Sequence, residues 1–313
     1  MVGARAVSTY LAASMELSCS NCGATLRVDD SLRTSKCPYC ANPQIVQRPP
    51  SPGRVEPTFV LGFAQTEQTA RELVAHWLKS RGFFRDPALK KAEIVDLRGV
   101  YVPAYLYTVT AHAEYQAQIG EHYTETETYT TTENGKTVTR TRQVTKTEWR
   151  DLAGTLSRYV SDVVVTASRG VQNDELEAVE PFDLRAMGRY TPAVLSGWIA
   201  EEPTLPQEEC ARLAREEAHR DVTRFLDQFM PGDSHQLTHT SLRFENEAAD
   251  LIYVPLWILA ARHDPNKPPV RILVNGQTGK LLGKAPLSWL RIVVVVVLVL
   301  IAIGVAVFVG SQQ

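Results

Sequence analysis

The chain has 313 residues, of which 44% are hydrophobic and 22% are charged, a composition typical of globular proteins. Its formal net charge of −2 excludes a general electrostatic attraction to nucleic acid. Its length fits two soluble units and a shorter additional segment. Four of its five cysteines lie close together, a pattern that in a reducing cytosol favours a metal site over disulfide bonds.

The first stretch, residues 1–14, holds one arginine and a short apolar run, which is too weak for a secretory signal. Met15 immediately precedes the first motif that predicts structure. We therefore interpret 1–14 as a disordered tail or as an extension ahead of the true start at Met15.

Two CxxC pairs follow, Cys19 with Cys22 and Cys37 with Cys40, fourteen residues apart. Each CxxC turn can place two sulfurs on one ion, and zinc prefers four thiolates in a closed structural site. The pattern predicts a zinc ribbon over residues 15–47 that holds one structural Zn²⁺. Because the protein fills all four positions, an open catalytic zinc is not expected. A disulfide pair or an iron–sulfur cluster is the alternative.

The charges of this ribbon are nearly balanced. Its basic residues are Arg27, Arg33, Lys36 and Arg48, and its acidic residues are Glu16, Asp29 and Asp30. Contacts to phosphates require a clear basic excess, which is missing here. We expect a ribbon that faces protein or is purely structural, and nucleic-acid binding is the less favoured alternative.

A Pro-rich linker at 48–57 precedes a central domain at 58–285 that contains two similar halves. Helical periodicity begins at Thr66 in one half and at Pro206 in the other. Cys210 falls on the apolar face of the second helix and is interpreted as a core residue. Each helix is followed by a strand-like segment, at 99–109 and at 251–261.

Both strand-like segments contain Tyr-Val-Pro, then one intervening residue, then an aromatic residue. The first begins at Tyr101 and the second at Tyr253. A helix followed twice by this strand predicts a pseudo-duplicated α+β domain, in which each proline marks a sheet edge or a bulge. Chance similarity of two buried strands is the alternative.

Two Asn-Gly pairs predict hairpins. Asn275-Gly276 closes the strand 271–274 onto a return near 280–282. Asn134-Gly135 closes a Thr-rich hairpin over 121–149, whose paired residue numbers should sum to 269, so that Glu127 faces Arg142. Both faces of this hairpin are largely polar. We expect it to project as an arm that docks a partner, or as a solvated arm without function.

No catalytic or cofactor-binding residue is predicted. The seven histidines are scattered, and His235 and His239 lie in a loop-like stretch without a glutamate in metalloprotease register. Neither a GxSxG motif, nor a phosphate loop, nor a dinucleotide fingerprint is present. An enzyme site assembled between the two halves is kept as an alternative, because catalytic groups can come together across the sequence.

The last stretch, Ile292 to Val309, has eighteen residues without a charged side chain. At about 1.5 Å per residue a helix would rise about 27 Å, close to the hydrocarbon core of a bilayer. Lys280, Lys284 and Arg291 precede it, and such an excess marks the cytoplasmic side. The pattern predicts a single-pass anchor over 286–313 in the cell membrane, with the bulk of the chain cytoplasmic and the carboxyl terminus outside.

Together, the segments CSNCGATL…CPYC, GVYVPAYLY, DLIYVPLWILAAR and LVNGQTGKLLG resemble a bacterial family described as TFIIB-type zinc-ribbon proteins and sometimes as PriA-like helicases. The helicase description does not fit, since the sequence has no nucleotide-binding loop. Tail-anchored members are similar to a zinc-ribbon membrane protein found beside PspA-type and SPFH membrane-stress proteins. The resemblance implies an adaptor that recruits such partners at the membrane.

The sequence thus predicts an α+β protein with an N-terminal zinc ribbon, a pseudo-duplicated central domain carrying a projecting hairpin, and one C-terminal transmembrane helix. Its predicted function is that of a non-catalytic adaptor, tethered to the lipid bilayer, that binds membrane-associated proteins of the SPFH or PspA type. The alternatives are nucleic-acid binding and an enzyme with a site between the two halves.

Overall fold

The computed structural model describes residues 15–28, 36–48, 55–80, 82–91, 97–133, 136–261 and 270–310. The predicted extension at 1–14, most of the predicted linker and the Asn134-Gly135 tip lie outside the described residues. The strands are β1 (Met15–Cys19), β2 (Thr25–Val28), β3 (Ile45–Arg48), β4 (Phe59–Leu61), β5 (Leu97–Glu133), β6 (Lys136–Thr166), β7 (Met187–Arg189), β8 (Ile199–Glu201), β9 (Ser234–Ala261), β10 (Val270–Asn275) and β11 (Leu281–Gly283). The helices are α1 (Glu67–Lys79), α2 (Asn173–Val179), α3 (Gln207–Phe229) and α4 (Trp289–Gly310).

The predicted fold class is wrong, because one large mixed sheet dominates the chain. Its eleven strands include those of the ribbon, in the order β11-β10-β9-β5-β8-β2-β1-β3, with β6 beside β5 and with β4 beside β7 and β9. The ribbon joins through β2, whose Leu26 lies opposite Glu201 of β8. Such ladders join segments far apart in sequence, and local periodicity carries no information about them.

The two predicted halves exchange their short strands. Strand β4, which precedes α1, pairs in parallel with β9, and β8, which precedes α3, pairs in parallel with β5. Val60 lies opposite Tyr253, and Ala200 lies opposite Tyr101. Each Tyr-Val-Pro strand therefore pairs, at its tyrosine, with the short strand that precedes the helix of the other half. The two tyrosine rings lie 6.2 Å apart.

Helices α1 and α3 begin where the sequence predicts. The Thr66 side chain accepts a hydrogen bond from Thr69 N–H at 3.2 Å, which caps α1. The buried apolar residues of α3 recur at helical spacing, and they are Cys210, Ala214, Ala218, Val222 and Leu226. Phe229, which the periodicity assigns to the same buried face, is instead exposed at the helix end.

The C-terminal turn is longer than a two-residue hairpin loop. Asn275 N–H donates to Lys280 O at 2.8 Å, and β11 returns from Leu281. The Asn275 side chain accepts from the N–H groups of Gln277 and Thr278, and it donates to the carbonyl oxygens of Val179 and Pro181. Asn275 is therefore both a turn former and a buried tie to the segment after α2.

Within the described part of the chain, no helix is both long enough and apolar enough to cross a membrane. This finding contradicts the predicted anchor at 286–313, the predicted cell-membrane localisation and the predicted single-pass topology.

The chain divides into two compact units. The first comprises 1–106, 164–210 and 250–313, and it contains the ribbon. Its core gathers apolar side chains from β2, β5, β9 and β10, among them Leu26, Val102, Val254 and Leu273. The second comprises 107–163 and 211–249. In this second unit, alternate residues of β5 from Tyr107 to Ile119 are buried, as expected of a strand with one covered face.

Candidate metal centre

Two matching turns bring the four ribbon cysteines together. Gly23 N–H donates to Cys19 O at 3.0 Å, and Ala41 N–H donates to Cys37 O at 2.8 Å. Gly23 and Ala41 both have positive φ, at 75° and 54°, so each turn closes through a left-handed residue. Each turn leaves its two sulfurs on the same side.

The sulfurs have the spacing that a tetrahedral thiolate site requires. The distance from Cys19 Sγ to Cys40 Sγ is 3.6 Å, as is the distance from Cys22 Sγ to Cys37 Sγ, and all four sulfurs lie within 4.8 Å of one another. A tetrahedron with metal–sulfur bonds of about 2.3 Å has sulfur–sulfur edges of about 3.8 Å. A disulfide would need about 2.05 Å, and all four cysteines are free. The residues present can therefore hold one metal ion.

The four thiols differ in how deeply they are buried. Cys19 and Cys37 are buried, while Cys22 and Cys40 are partly exposed. Burial raises the pKa of Cys19, and the hydrogen bond from Cys37 lowers the pKa of Cys22. A bound cation would favour the thiolate form at all four positions.

Tyr39, between the second pair of cysteines, ties the metal centre to the sheet. Its hydroxyl donates to Glu201 Oε2 at 2.6 Å, and Ser168 Oγ donates to the same oxygen at 2.6 Å. Glu201 is fully buried, and its other oxygen has no hydrogen-bond partner among the described residues. Burial raises the pKa of Glu201 to about 7. The carboxyl group is thus held by the ribbon at considerable desolvation cost.

A second contact between the ribbon and the sheet involves Arg27, one of the basic ribbon residues that nucleic-acid binding would require. Arg27 Nε donates to Glu202 Oε1 at 2.6 Å, and only 13% of the Arg27 side chain is exposed. Arg27 also donates to Tyr190 Oη at 3.4 Å. Arg33 lies outside the described residues. Arg27 thus binds the sheet of its own chain and has little exposed surface left for a phosphate contact, which weakens the nucleic-acid alternative.

The remaining predicted residues do not form a site. Cys210 is buried and donates to Thr166 O at 3.4 Å, and burial raises its pKa to about 11, as expected of a core thiol. His235 contacts Asp227 at 2.9 Å on the surface. In the described ranges, the four ribbon cysteines are the only group of three or more candidate ligands close enough to hold a metal.

The Thr-rich hairpin has the predicted register. Arg142 donates to Glu127 at 3.1 Å, and Gln118 donates to Asp151 at 3.3 Å, and both pairs sum to 269. Strand β9 begins at Ser234, near Gly120, where Asp233 N–H donates to Gly120 O at 3.1 Å. We name residues 121–149 the arm. Within the described residues the arm is a two-stranded ribbon without a third strand.

The arm exposes three large aromatic side chains. Tyr123 is 47% exposed, Tyr129 is 41% exposed and Trp149 is 50% exposed. The Arg142 guanidinium lies 5.6 Å from the centre of the Tyr129 ring. Aromatic and arginine side chains are the residues most enriched at the energetic centres of protein interfaces.

One polar network was missed by the sequence reasoning. His112 Nδ1 lies 2.8 Å from Ser157 Oγ, and His112 Nε2 lies 3.2 Å from Glu245 Oε2, on neighbouring strands. No motif announces it, because the three residues come from β5, β6 and β9. About a third of the His112 side chain and 41% of the Glu245 side chain are exposed, so water screens the pair.

The second unit also contains an open cavity of about 470 Å³. It is lined by Arg215, Glu216, His219, Arg220 and Phe244. All of these residues come from α3 and β9, which belong to the same predicted half. The cavity therefore does not correspond to the predicted enzyme site between the two halves.

Comparison with known proteins gives limited guidance. No family model matches the chain, and no solved structure matches it. The chain is 23% identical over 246 residues to "Uncharacterized protein YdjG" of Bacillus subtilis (strain 168), a match that covers 75% of this chain. The chain matches only 65% of that protein's length. The resemblance to TFIIB-type zinc-ribbon proteins therefore stays a prediction.

Proposed function

We propose that this chain is a metal-stabilised scaffold that binds partner proteins through its arm and carries out no catalysis itself. The ion is Zn²⁺, held by Cys19, Cys22, Cys37 and Cys40, because a closed set of four thiolates is the typical structural zinc site. Its role is to hold the ribbon strands against β8. The partner proteins that the family resemblance suggests are of the SPFH or PspA type.

The observation that carries this proposal is the arm. Its face with Tyr123 and Tyr129 also presents Glu125, Glu127 and Arg142. Exposed tyrosines set among charges of both signs supply apolar contact area and orientation at once. A strand pair of this length that buries little of its own surface contributes little to folding, which favours a role in recognition.

The test is capture of a tagged, full-length chain with its partner from cells of the source organism. Tyr123→Ala with Tyr129→Ala should abolish capture and leave the zinc content unchanged at one ion per chain. The matched control is Tyr159→Ala, an exposed tyrosine on the same strand pair but outside the arm. If the double variant captures the same partner at the same yield, the arm does not bind it.

A second candidate is acyl transfer at Ser157, favoured by the hydrogen-bonded Ser157, His112 and Glu245. Ser157 Oγ would attack an ester carbonyl while its proton passes to His112 Nδ1, which then returns the proton to the leaving alcohol. Glu245 would stabilise the charged imidazole through Nε2. A fluorophosphonate probe should label the wild type and not Ser157→Ala. Equal labelling of both, or of neither, removes this candidate.

A further inference from the structure

The two faces of the arm differ completely in chemistry. With paired residues summing to 269, even positions of β5 and odd positions of β6 share one face, which we name the Thr face. It is formed by His122, Gln143, Trp149 and ten threonines, namely Thr124, Thr126, Thr128, Thr130, Thr132, Thr137, Thr139, Thr141, Thr145 and Thr147. Nearly all of these residues are exposed.

Every charged side chain described between 121 and 148 lies on the opposite face, which we name the charged face. These side chains are Glu121, Glu125, Glu127, Arg140, Arg142, Lys146 and Glu148. Contacts across this face confirm the assignment, since Lys146 bridges Glu125 at 2.6 Å and Glu127 at 3.3 Å. A solvated arm without a partner has no need to sort its residues in this way, because both faces would contact water alone.

We propose that the Thr face docks against the Thr face of a second copy of this chain. A surface with no formal charge does not repel its own copy, and pairing two such faces leaves all the charges in water. Threonine hydroxyls both donate and accept hydrogen bonds, so a second Thr face can satisfy the hydroxyls that it buries. Rows of β-branched methyl groups can interdigitate between stacked sheets.

The dimensions of the Thr face set the area that this contact would bury. Thirteen residues per strand at about 3.3 Å each give a face about 40 Å long and about 10 Å wide. Two copies would bury about 800 Å² in total, below the standard size of a stable interface. Trp149 adds area at the base, because it lies on this face beside Gly120. The association is therefore weak and reversible.

The contact is isologous, since the same patch serves on both copies. The charged faces then point away from each other, and the dimer presents two copies of Tyr123 and Tyr129. This inference goes beyond the proposed binding function and does not depend on it, because the two use opposite faces. If the charged face captures a partner, the dimer would add avidity.

The experiment is sedimentation velocity of the purified full-length chain across a micromolar concentration series. We expect a monomer–dimer equilibrium in the wild type. Thr128→Glu with Thr141→Glu, a cross-strand pair on the Thr face, should weaken it at least about a hundredfold, because like charges would meet across the interface. The matched control is Thr131→Glu with Val138→Glu, a cross-strand pair on the charged face, which should leave the dimer intact.

A mixing experiment covers the case in which the glutamates only disturb the arm. Thr128→Lys with Thr141→Lys should also be monomeric alone, and an equimolar mixture with the glutamate variant should restore a dimer of mixed composition. A wild type that stays monomeric up to about 100 µM overturns the proposal. So does an equal loss in both glutamate variants, or a dimer that survives in the Thr128 and Thr141 variant.

Discussion

The ribbon and the arm are both built from antiparallel strands, but they differ in burial: the ribbon packs Leu17, Leu26 and Val28 into the core, while most side chains of the arm are exposed. The ribbon is built into the large sheet, where Tyr39 and Arg27 reach carboxylates of β8 and its following residue. The arm keeps both faces exposed. The difference lies in what is shielded from water: the ribbon has a cluster of four cysteines, a hydrogen bond to the buried Glu201 carboxyl group and apolar packing, while the described contacts within the arm are cross-strand pairs exposed to water.

This contrast shows where stability and recognition divide. Contacts shielded from water are strong, and they make the ribbon rigid. Contacts in water are weak, and they leave the arm adaptable and its surface available. Substitutions in the ribbon should therefore change folding, and substitutions in the arm should change binding alone.

The largest effect should come from removing the metal. Cys37→Ser with Cys40→Ser deletes half of the ligand set and forfeits a binding free energy on the order of 10 kcal/mol. We expect bound zinc to fall from one ion per chain to none, measured by elemental analysis. Limited proteolysis should then cleave within the ribbon and spare the arm. Cys210→Ser is the matched control, and it should keep its zinc.

The next largest effect should follow pH at Glu201. Its pKa is raised from 4.5 to about 7, so its contribution to stability is complete below the unfolded pKa and is lost as pH rises toward 7. The Glu201→Gln variant has no carboxyl group to ionise. Its unfolding free energy should therefore rise by about 3 kcal/mol relative to that of the wild type between pH 4.5 and pH 7.5. Urea titrations at several pH values measure it, and parallel pH curves for the two proteins would contradict it.

A smaller effect should come from the packing around Tyr39. A Cβ added at Gly170 would lie 2.9 Å from the Tyr39 ring and 3.1 Å from Ala24 Cβ, both buried and unable to move freely. Gly170→Ala should cost about 1–3 kcal/mol of unfolding free energy. Gly62→Ala, where nothing lies within 4 Å, should be nearly neutral in the same denaturation experiment.

The smallest effect should come from the arm. Arg142→Ala removes the salt bridge to Glu127. Because the Arg142 side chain is 62% exposed, we expect no measurable shift in thermal denaturation. The Glu127 carboxyl, whose pKa is lowered chiefly by the Arg142 hydrogen bond, should titrate closer to its ordinary value in NMR. A clear drop in melting temperature would show that the arm contributes to the core, and the contrast with the ribbon would fail.

Much of the local structure could be predicted. The CxxC spacing identified the metal cluster, Thr66 and Pro206 marked the helix starts, and Asn134-Gly135 set the arm register. In each case the determining contacts lie within one turn or one hairpin. The predicted anchor is wrong, since no described helix is both long enough and apolar enough to cross a membrane.

The sequence alone determined the CxxC turns, the starts of α1 and α3 and the ligand set, because these depend mainly on residues that are close in sequence. The tertiary structure alone decided that the ribbon belongs to the large sheet and that the two halves exchange β4 and β8. It also decided that Glu201 is buried under Tyr39. Strand pairing and burial join residues about a hundred or more positions apart, and no local pattern specifies which distant segment completes a ladder.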